Sequence, residues 1–247
     1  MLHIVTAANR HLYRRQLEAM HRQRYELFVK GRGWNLAVRD GGEYDEGDDE
    51  RAVYLLGIDE SGYCHSSIRA RPADDFSYVI DAMPEWIEGG AQRLRENPNL
   101  WEMARWISQG EDRATGEEIR IGLIEYLLTR EASECIACGD LHITAYALRA
   151  GWRLKFLGIP RTYPEGGVAV ATSLPITQEE VEHARELTGR RDLFLMEVDP
   201  AAPWSELPLP VIEGAFRTAA AEAEDYAALA RLADQLLRAS LSGGRAA

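Results

Sequence analysis

The residues best suited to chemistry are arginines, carboxylates and aromatic residues spread over the first half of the chain. Guanidinium groups bind carboxylates in a bidentate manner, aromatic rings attract cations, and a carboxylate can act as a general base. The set consists of Arg24, Phe28, Trp34, Asp45, Asp48, Arg69, Glu102 and Arg105. Taken alone, charges at these spacings are more typical of surface ion pairs, which contribute little stability.

Two of these residues lie in one predicted strand, over residues 100–107. Glu102 and Arg105 are three positions apart, so an ideal strand would direct them to opposite faces. A bulge or a strong twist is therefore needed if they are to share a site.

The hydrophobic pattern predicts an α/β fold in which a mixed central sheet is flanked by helices. The predicted helices lie over residues 10–20, 22–29 and 116–134, with a shorter one ending at Gly151. The predicted strands lie over residues 3–5, 52–58, 63–70, 100–107, 141–144, 152–157 and 167–171. A loop rich in Gly and Asp, between the second helix and the second strand, holds Asp45 and Asp48.

The composition changes after Pro175 and indicates two parts, a catalytic domain over residues 1–175 and a C-terminal helical extension over residues 176–247. The extension reads as a helix over 177–188, a Pro-rich joint and one Ala-rich helix over about 214–241. We expect this last helix to pack back on the domain.

The net charge of −12 disfavours broad nucleic-acid binding, which needs a basic surface. No apolar run approaches the roughly 20 residues that cross a bilayer, and the N-terminus lacks the apolar core of a secretory signal. We expect a cytoplasmic protein with no nucleic-acid or membrane partner. The first 40 residues nevertheless hold eight basic and three acidic residues. This balance suits an acidic partner or a phosphate-bearing substrate, but charge alone favours the simpler interpretation of a solvated helix face.

Three cysteines cannot all pair, which argues against a disulfide framework. Cys135 and Cys138 have the spacing of half a zinc site, but the sequence offers no convincing further ligands. We therefore expect buried thiols and no metal.

The ordered set of candidate residues resembles the acyl-homoserine lactone synthases, the autoinducer synthases of bacterial quorum sensing. The resemblance rests on Arg24, Phe28 and Trp34, on the run EYDEGD, on Arg69 and on the run WEMARW. The later run GWRLKFLGIP, over residues 151–160, is similar to the closing strand region of that family. The resemblance spans roughly residues 5–172.

This resemblance implies a fold similar to the N-acetyltransferases, with a central sheet split into a V-shaped cleft. It also implies the reaction. An acyl group passes from acyl carrier protein, or in some cases coenzyme A, to the α-amine of S-adenosylmethionine. The methionine carboxylate then closes the lactone and expels methylthioadenosine. S-adenosylmethionine is thus a substrate, and no cofactor is expected.

The resemblance further implies roles for particular residues. The catalytic set is Glu102, Asp45, Asp48 and Arg69. The substrate-binding set is Arg24, Phe28, Trp34, Arg105, Trp106, Ile107 and Thr144.

Within these sets, Glu102 is the expected general base, acting directly or through water. Arg24 or Arg105 would bind the substrate carboxylate, and the aromatic residues would face the sulfonium or the adenine. The two aspartates would bind the ammonium group or hold arginines in place. Backbone amides near Ile107 would stabilise an oxyanion, and Thr144 would offer a hydroxyl to the acyl pocket.

Two other functions stay open at this point. One is a different acyl-CoA-dependent N-acyltransferase on the same scaffold. The other is a degenerate synthase that binds a partner through its C-terminal helices, which predicts an intact charge cluster without a cavity for an acyl chain.

Overall fold

The computed structural model describes residues 1–59, 61–108 and 113–243. Its centre is a nine-stranded mixed sheet in the order β11-β1-β4-β5-β6-β7-β10-β8, with β9 paired to β10. The strands of this sheet are β1 (Leu2–Val5), β4 (Val53–Ile58), β5 (Cys64–Pro72), β6 (Leu100–Ser108), β7 (Glu134–Asp140), β8 (Lys155–Phe156), β9 (Arg161–Thr162), β10 (Val168–Pro175) and β11 (Leu195–Glu197). A separate hairpin joins β2 (Val38–Arg39) and β3 (Gly42–Glu43).

Helices cover both faces of the sheet. They are α1 (Arg14–Arg24), α2 (Gln92–Arg95), α3 (Arg113–Thr129), α4 (Leu141–Arg149), α5 (Gln178–Thr188), α6 (Leu209–Ala220) and α7 (Tyr226–Gly243). A 3-10 turn precedes α1, and a π-helical turn over Tyr25–Gly31 continues it, so that the two predicted N-terminal helices form one curved rod. No helix in the described part of the chain is long and apolar enough to cross a membrane.

The predicted split in the sheet is confirmed. β6 and β7 run parallel and pair only from Leu100↔Glu134 to Glu102↔Ile136. Beyond Glu102 the two strands no longer pair, and a cavity of about 160 Å³ is lined by residues of both. The fold is therefore the mixed, V-split α/β architecture that the sequence predicts.

The prediction of a strand over 141–144 is wrong, because these residues open α4. The strand is the preceding segment, Glu134–Asp140, which takes only the last residue of the helix predicted over 116–134, because α3 already ends at Thr129. Thr144 and Ala147 are the buried positions of α4, three residues apart, as expected for a helix with one face on the core. A short apolar run such as LHIT fits either element, and the packing decides between them.

The C-terminal segment packs back on the domain, but its last helix is divided. One straight helix over 214–241 would be roughly 40 Å long and could not keep both ends on the core. Instead the chain turns between α6 and α7, so that Phe216 and Leu229 enter the same hydrophobic cluster as Leu56. The segment is also not wholly helical, since β11 pairs in parallel with β1 and extends the sheet.

Candidate functional site

The site begins with a group of arginines and carboxylates buried beneath the cleft, which we call the charge cluster. Its members are Arg24, Glu43, Asp45, Asp48, Arg69 and Arg105. They come from α1, β3, the loop before β4, β5 and β6. Three positive and three negative side chains therefore meet at one place, and five of the six are residues that the sequence singled out for the site.

Arg24 lies at the centre of the charge cluster and is fully buried. Its Nε donates to Glu43 at 2.5 Å, and its two Nη atoms form a bidentate pair with Asp48 at 2.7 and 2.8 Å. Charge-assisted pairs of this geometry are the strong ones, and a buried guanidinium requires them. Because these donors are occupied inside the protein, Arg24 holds the site together and is not placed to contact a substrate.

Asp48 is the main acceptor of the cluster. Besides Arg24, it accepts hydrogen bonds from Arg69 at 2.9 Å, the Tyr54 hydroxyl at 2.8 Å and the backbone amide of Asp45 at 2.9 Å. Burial alone would raise the pKa of Asp48. The hydrogen bonds and charges of Arg24 and Arg69 overcome this effect and hold the pKa well below its ordinary value. Asp48 is thus an ionised anchor.

Glu43 was not among the predicted site residues, although it begins the run EYDEGD. Its carboxylate is fully buried between Arg24 and Arg105, with Arg105 Nη2 at 3.0 Å. Burial again opposes ionisation, and the hydrogen bonds from these two arginines lower the pKa of Glu43 despite it. His21 supports the strand by donating from Nδ1 to the Glu43 carbonyl oxygen at 2.8 Å.

Arg105 reaches the cluster because β6 contains a bulge. Ser67 of β5 pairs with Ile107 of β6, and Arg69 pairs with Ala104. Between these two pairs β5 has one residue, Ile68, whereas β6 has two, Arg105 and Trp106. Arg105 has φ +57°, a left-handed conformation that is unfavourable for a residue with a side chain. The predicted irregularity is therefore present, and it places the Arg105 guanidinium 2.7 Å from Asp45.

The Arg105 side chain also lines the cavity in the cleft, beside Phe28, Trp34, Trp106 and Thr144. Phe28 and Trp34 stack with their ring centroids 5.2 Å apart. Arg32, which the sequence did not single out, lies over Trp34 and forms an ion pair with Asp140 across the cleft. This part of the cavity lining is therefore aromatic and cationic.

Glu102 lies next to this cavity and not in its wall. Its carboxylate accepts from the Ser77 hydroxyl and from the Val79 amide at 3.2 Å. It faces a small void of about 10 Å³, which Arg69 and Ala104 also line. Burial raises the pKa of Glu102, although Ser77, Val79 and Arg69 partly oppose this. A carboxyl with a raised pKa is better matched to proton transfer near neutral pH than an ordinary one.

Ile107, a predicted substrate-binding residue, lies outside the cleft cavity. Ile107 is buried opposite Ser67 and is not part of the cavity lining in the described residues.

Cys135 and Cys138 lie on β7, and burial raises the pKa of the Cys138 thiol to about 12. Among the described residues, no three potential ligands are grouped as a metal site would require.

Replacing Asp48 by Asn tests the structural importance of the cluster. Removing one charge leaves Arg24 incompletely paired, so D48N should lower the free energy of unfolding by about 3–5 kcal/mol. Because the folded-state pKa is lowered, Asp48 contributes stability above its unfolded pKa of about 4, and this contribution is lost as pH falls. Urea titrations between about pH 2 and 5, where wild-type Asp48 takes up its proton on unfolding, should therefore show a weaker acid dependence in D48N.

The control for this prediction is D74N, which removes a half-exposed carboxylate paired with Arg51. It should cost no more than about 1 kcal/mol. Equal losses in D48N and D74N would contradict the role assigned to Asp48.

Comparison with known proteins places this geometry in a family. The model of the family described as "Autoinducer synthase" matches residues 8–184, well over half of the chain. The isovaleryl-homoserine lactone synthase of Bradyrhizobium diazoefficiens is 28% identical over 192 residues, which cover 76% of this chain and 86% of that protein.

Solved structures agree with this result. BjaI, a CoA-dependent acyl-homoserine lactone synthase solved with SAM and isopentyl-CoA, has a TM-score of 0.71 and 25% identity, covering 81% of this chain and 94% of that chain. A protein from Lactobacillus plantarum assigned to the N-acetyltransferases shares the fold, with a TM-score of 0.50 and 14% identity over 71% of this chain and 99% of that chain. The chain belongs to the autoinducer synthase family, whose relatives are named as acyl-homoserine-lactone synthases.

Proposed function

We propose that this enzyme transfers an acyl group from a coenzyme A thioester to the α-amine of S-adenosylmethionine and then closes the homoserine lactone. The observation that carries the proposal is the cleft cavity, whose lining combines arginine and aromatic side chains with apolar ones. The family supports the reaction type, and BjaI, solved with SAM and isopentyl-CoA, supports this pair of substrates. A degenerate synthase without a cavity does not fit this geometry.

S-adenosylmethionine would occupy the cationic, aromatic part of this cavity. Its carboxylate would bind Arg105, whose guanidinium lines the cavity while Glu43 and Asp45 hold it from the other side. The alternative, Arg24, has its hydrogen-bond donors occupied by Glu43 and Asp48. The stacked rings of Phe28 and Trp34 would face the sulfonium or the adenine, since both a cation and a flat base are attracted by an aromatic face.

Glu102 would remove the proton that the substrate ammonium must lose before it can attack. The void beside Glu102 has about the volume that one water molecule needs. We therefore assign proton transfer to Glu102 through a water molecule. Arg69, fixed by Asp45 and Asp48, would keep this carboxylate oriented and would limit the rise of its pKa.

In each of the two chemical steps, one bond forms and one bond breaks between atoms of the substrates. The amine nitrogen attacks the thioester carbonyl carbon, the carbon–sulfur bond of the thioester breaks, and coenzyme A leaves as its thiol. The carboxylate oxygen next attacks the γ-carbon, and the bond from that carbon to the sulfonium sulfur breaks. The products are an acyl-homoserine lactone, free coenzyme A and methylthioadenosine.

Part of the basic N-terminal segment lies away from this cleft. Arg14 and Arg15 line a different cavity, between the start of α1 and α6. This part of the basic N-terminal segment, which would suit an acidic partner such as acyl carrier protein, thus lies away from the cleft, whereas Arg32 lines it. Together with the CoA-dependent BjaI, this position favours coenzyme A as the donor.

Mass spectrometry of the purified enzyme's products tests the function. With S-adenosylmethionine and a short acyl-CoA, we expect acyl-homoserine lactone and methylthioadenosine in equal amounts, together with free thiol. Tight binding of acyl-CoA without any turnover of S-adenosylmethionine would contradict the proposal and favour another N-acyltransferase. Turnover only with acyl carrier protein would contradict the choice of donor.

Replacing Glu102 by Gln tests the proton acceptor. General-base catalysis contributes roughly 10²–10⁴-fold, so E102Q should lower kcat by at least about 100-fold. The wild-type rate should rise with pH as Glu102 loses its proton, with the midpoint above the ordinary glutamate pKa, and E102Q should lose this dependence. E85Q, at an exposed position, is the matched control. A folded E102Q enzyme with a near-normal rate and pH profile would show that another group takes the proton.

A further inference from the structure

Trp152 is a buried core residue in the lining of the cleft cavity, and we propose that this side chain limits the enzyme to acyl groups of about six carbons or fewer. The proposal rests on the acyl transfer described above and goes further, because it names the class of acyl group and the residue that selects it.

The size of the cavity sets the limit. Its volume is about 160 Å³. A cavity of roughly 150 Å³ in a protein interior accommodates a ligand of the size of benzene, which has six carbons. Because S-adenosylmethionine would occupy the part of this cavity beside Arg105, Phe28 and Trp34, the acyl group has less than the whole volume, and six carbons is an upper bound. Compact branched chains suit such a space better than long linear ones.

Trp152 bounds the cavity on the side of the hydrophobic core. It is buried, and its indole stacks on Trp106 with ring centroids 5.4 Å apart and an interplanar angle of 24°. Several residues of the cavity lining also belong to the main hydrophobic core or pack against it. They are Trp152, Met103, Ala147 and Leu154. The cavity therefore ends against packed core and not in solvent on this side.

Trp152 is also held in place. The Arg120 guanidinium carbon lies 5.5 Å from the centre of its indole. Arg120 is fully buried and donates to the carbonyl oxygens of Ala150 and Gly151 at 3.0 and 2.9 Å. The backbone just before Trp152 is therefore fixed, with Gly151 in the left-handed region at φ +85°. A longer acyl chain could not displace this indole without disrupting these buried contacts.

Beyond Trp152 there is space that the acyl chain does not reach. Ala150 and Gly151 line a second cavity of about 590 Å³, together with Glu117, Arg149 and Arg190. Trp152, which lines the cleft cavity, directly follows Ala150 and Gly151 in the chain. A smaller residue at this position should lengthen the acyl site.

A competition experiment tests this inference. Linear acyl-CoA donors of four to twelve carbons are supplied together, and the masses of the products are measured. The wild-type enzyme should form lactones of four to six carbons and at least roughly tenfold less at eight, since each methylene that does not fit costs about that factor. Trp152→Phe should raise the ratio of eight-carbon to four-carbon product several-fold, and Trp152→Leu should raise it at least about tenfold. Trp204→Phe, a matched aromatic change in the other hydrophobic cluster, should leave the ratio unchanged.

The possible outcomes separate the two proposals. If no donor of any length gives lactone, the proposed function fails. If lactones form but the wild-type enzyme accepts eight to twelve carbons as readily as four, the length limit is wrong. An unchanged ratio in folded Trp152→Phe also overturns the role of Trp152, even if Trp152→Leu does not fold.

Discussion

The structure depends on the mutual neutralisation of three guanidinium groups and three carboxylates in a place that water barely reaches. Moving each of these ions out of water costs several kcal/mol, and only good geometry with further hydrogen bonds recovers it. Arg24 supplies that geometry, because its planar group joins Glu43 on one edge and Asp48 on the other. A lysine, with a single ammonium point charge, could not make both contacts in this way.

The mutual neutralisation of charges in the cluster explains why Arg105 can keep a left-handed backbone conformation, which is unfavourable for a residue with a side chain. The positive φ is stabilised by the ion pairs that its side chain makes with Glu43 and Asp45. The same bulge directs Arg105 into the cleft, where a substrate carboxylate can reach it. Tyr54 then connects the cluster to the rest of the fold, since its hydroxyl binds Asp48 while its ring packs in the core that α6 and α7 cover. The C-terminal helices thus support the site without touching it.

The sequence predicted the sheet, its split and five of the six cluster residues, because charged residues among apolar strands are conspicuous and their order resembles one family. It also anticipated the irregularity in β6, since Glu102 and Arg105 could not otherwise share a site. It did not identify Glu43, because one carboxylate within an acidic run gives no sign of which arginine it will pair with. The interpretation of LHIT as a strand failed, since a four-residue apolar run fits a strand or a helix and only tertiary packing selects one. Trp152 was assigned to a strand, and no pattern along the chain shows that it lines a cavity.

The central claim is that the buried network presents Arg105 as the receptor for the carboxylate of S-adenosylmethionine. Calorimetric titration with S-adenosylmethionine and with its decarboxylated analogue tests it directly, using the wild-type enzyme, R105Q and the surface control R14Q. A charged hydrogen bond contributes about 1.5–3 kcal/mol, so the wild-type enzyme and R14Q should bind S-adenosylmethionine at least roughly tenfold more tightly than the analogue. In R105Q that ratio should fall close to one. A folded R105Q that kept the full preference for the carboxylate would contradict the account.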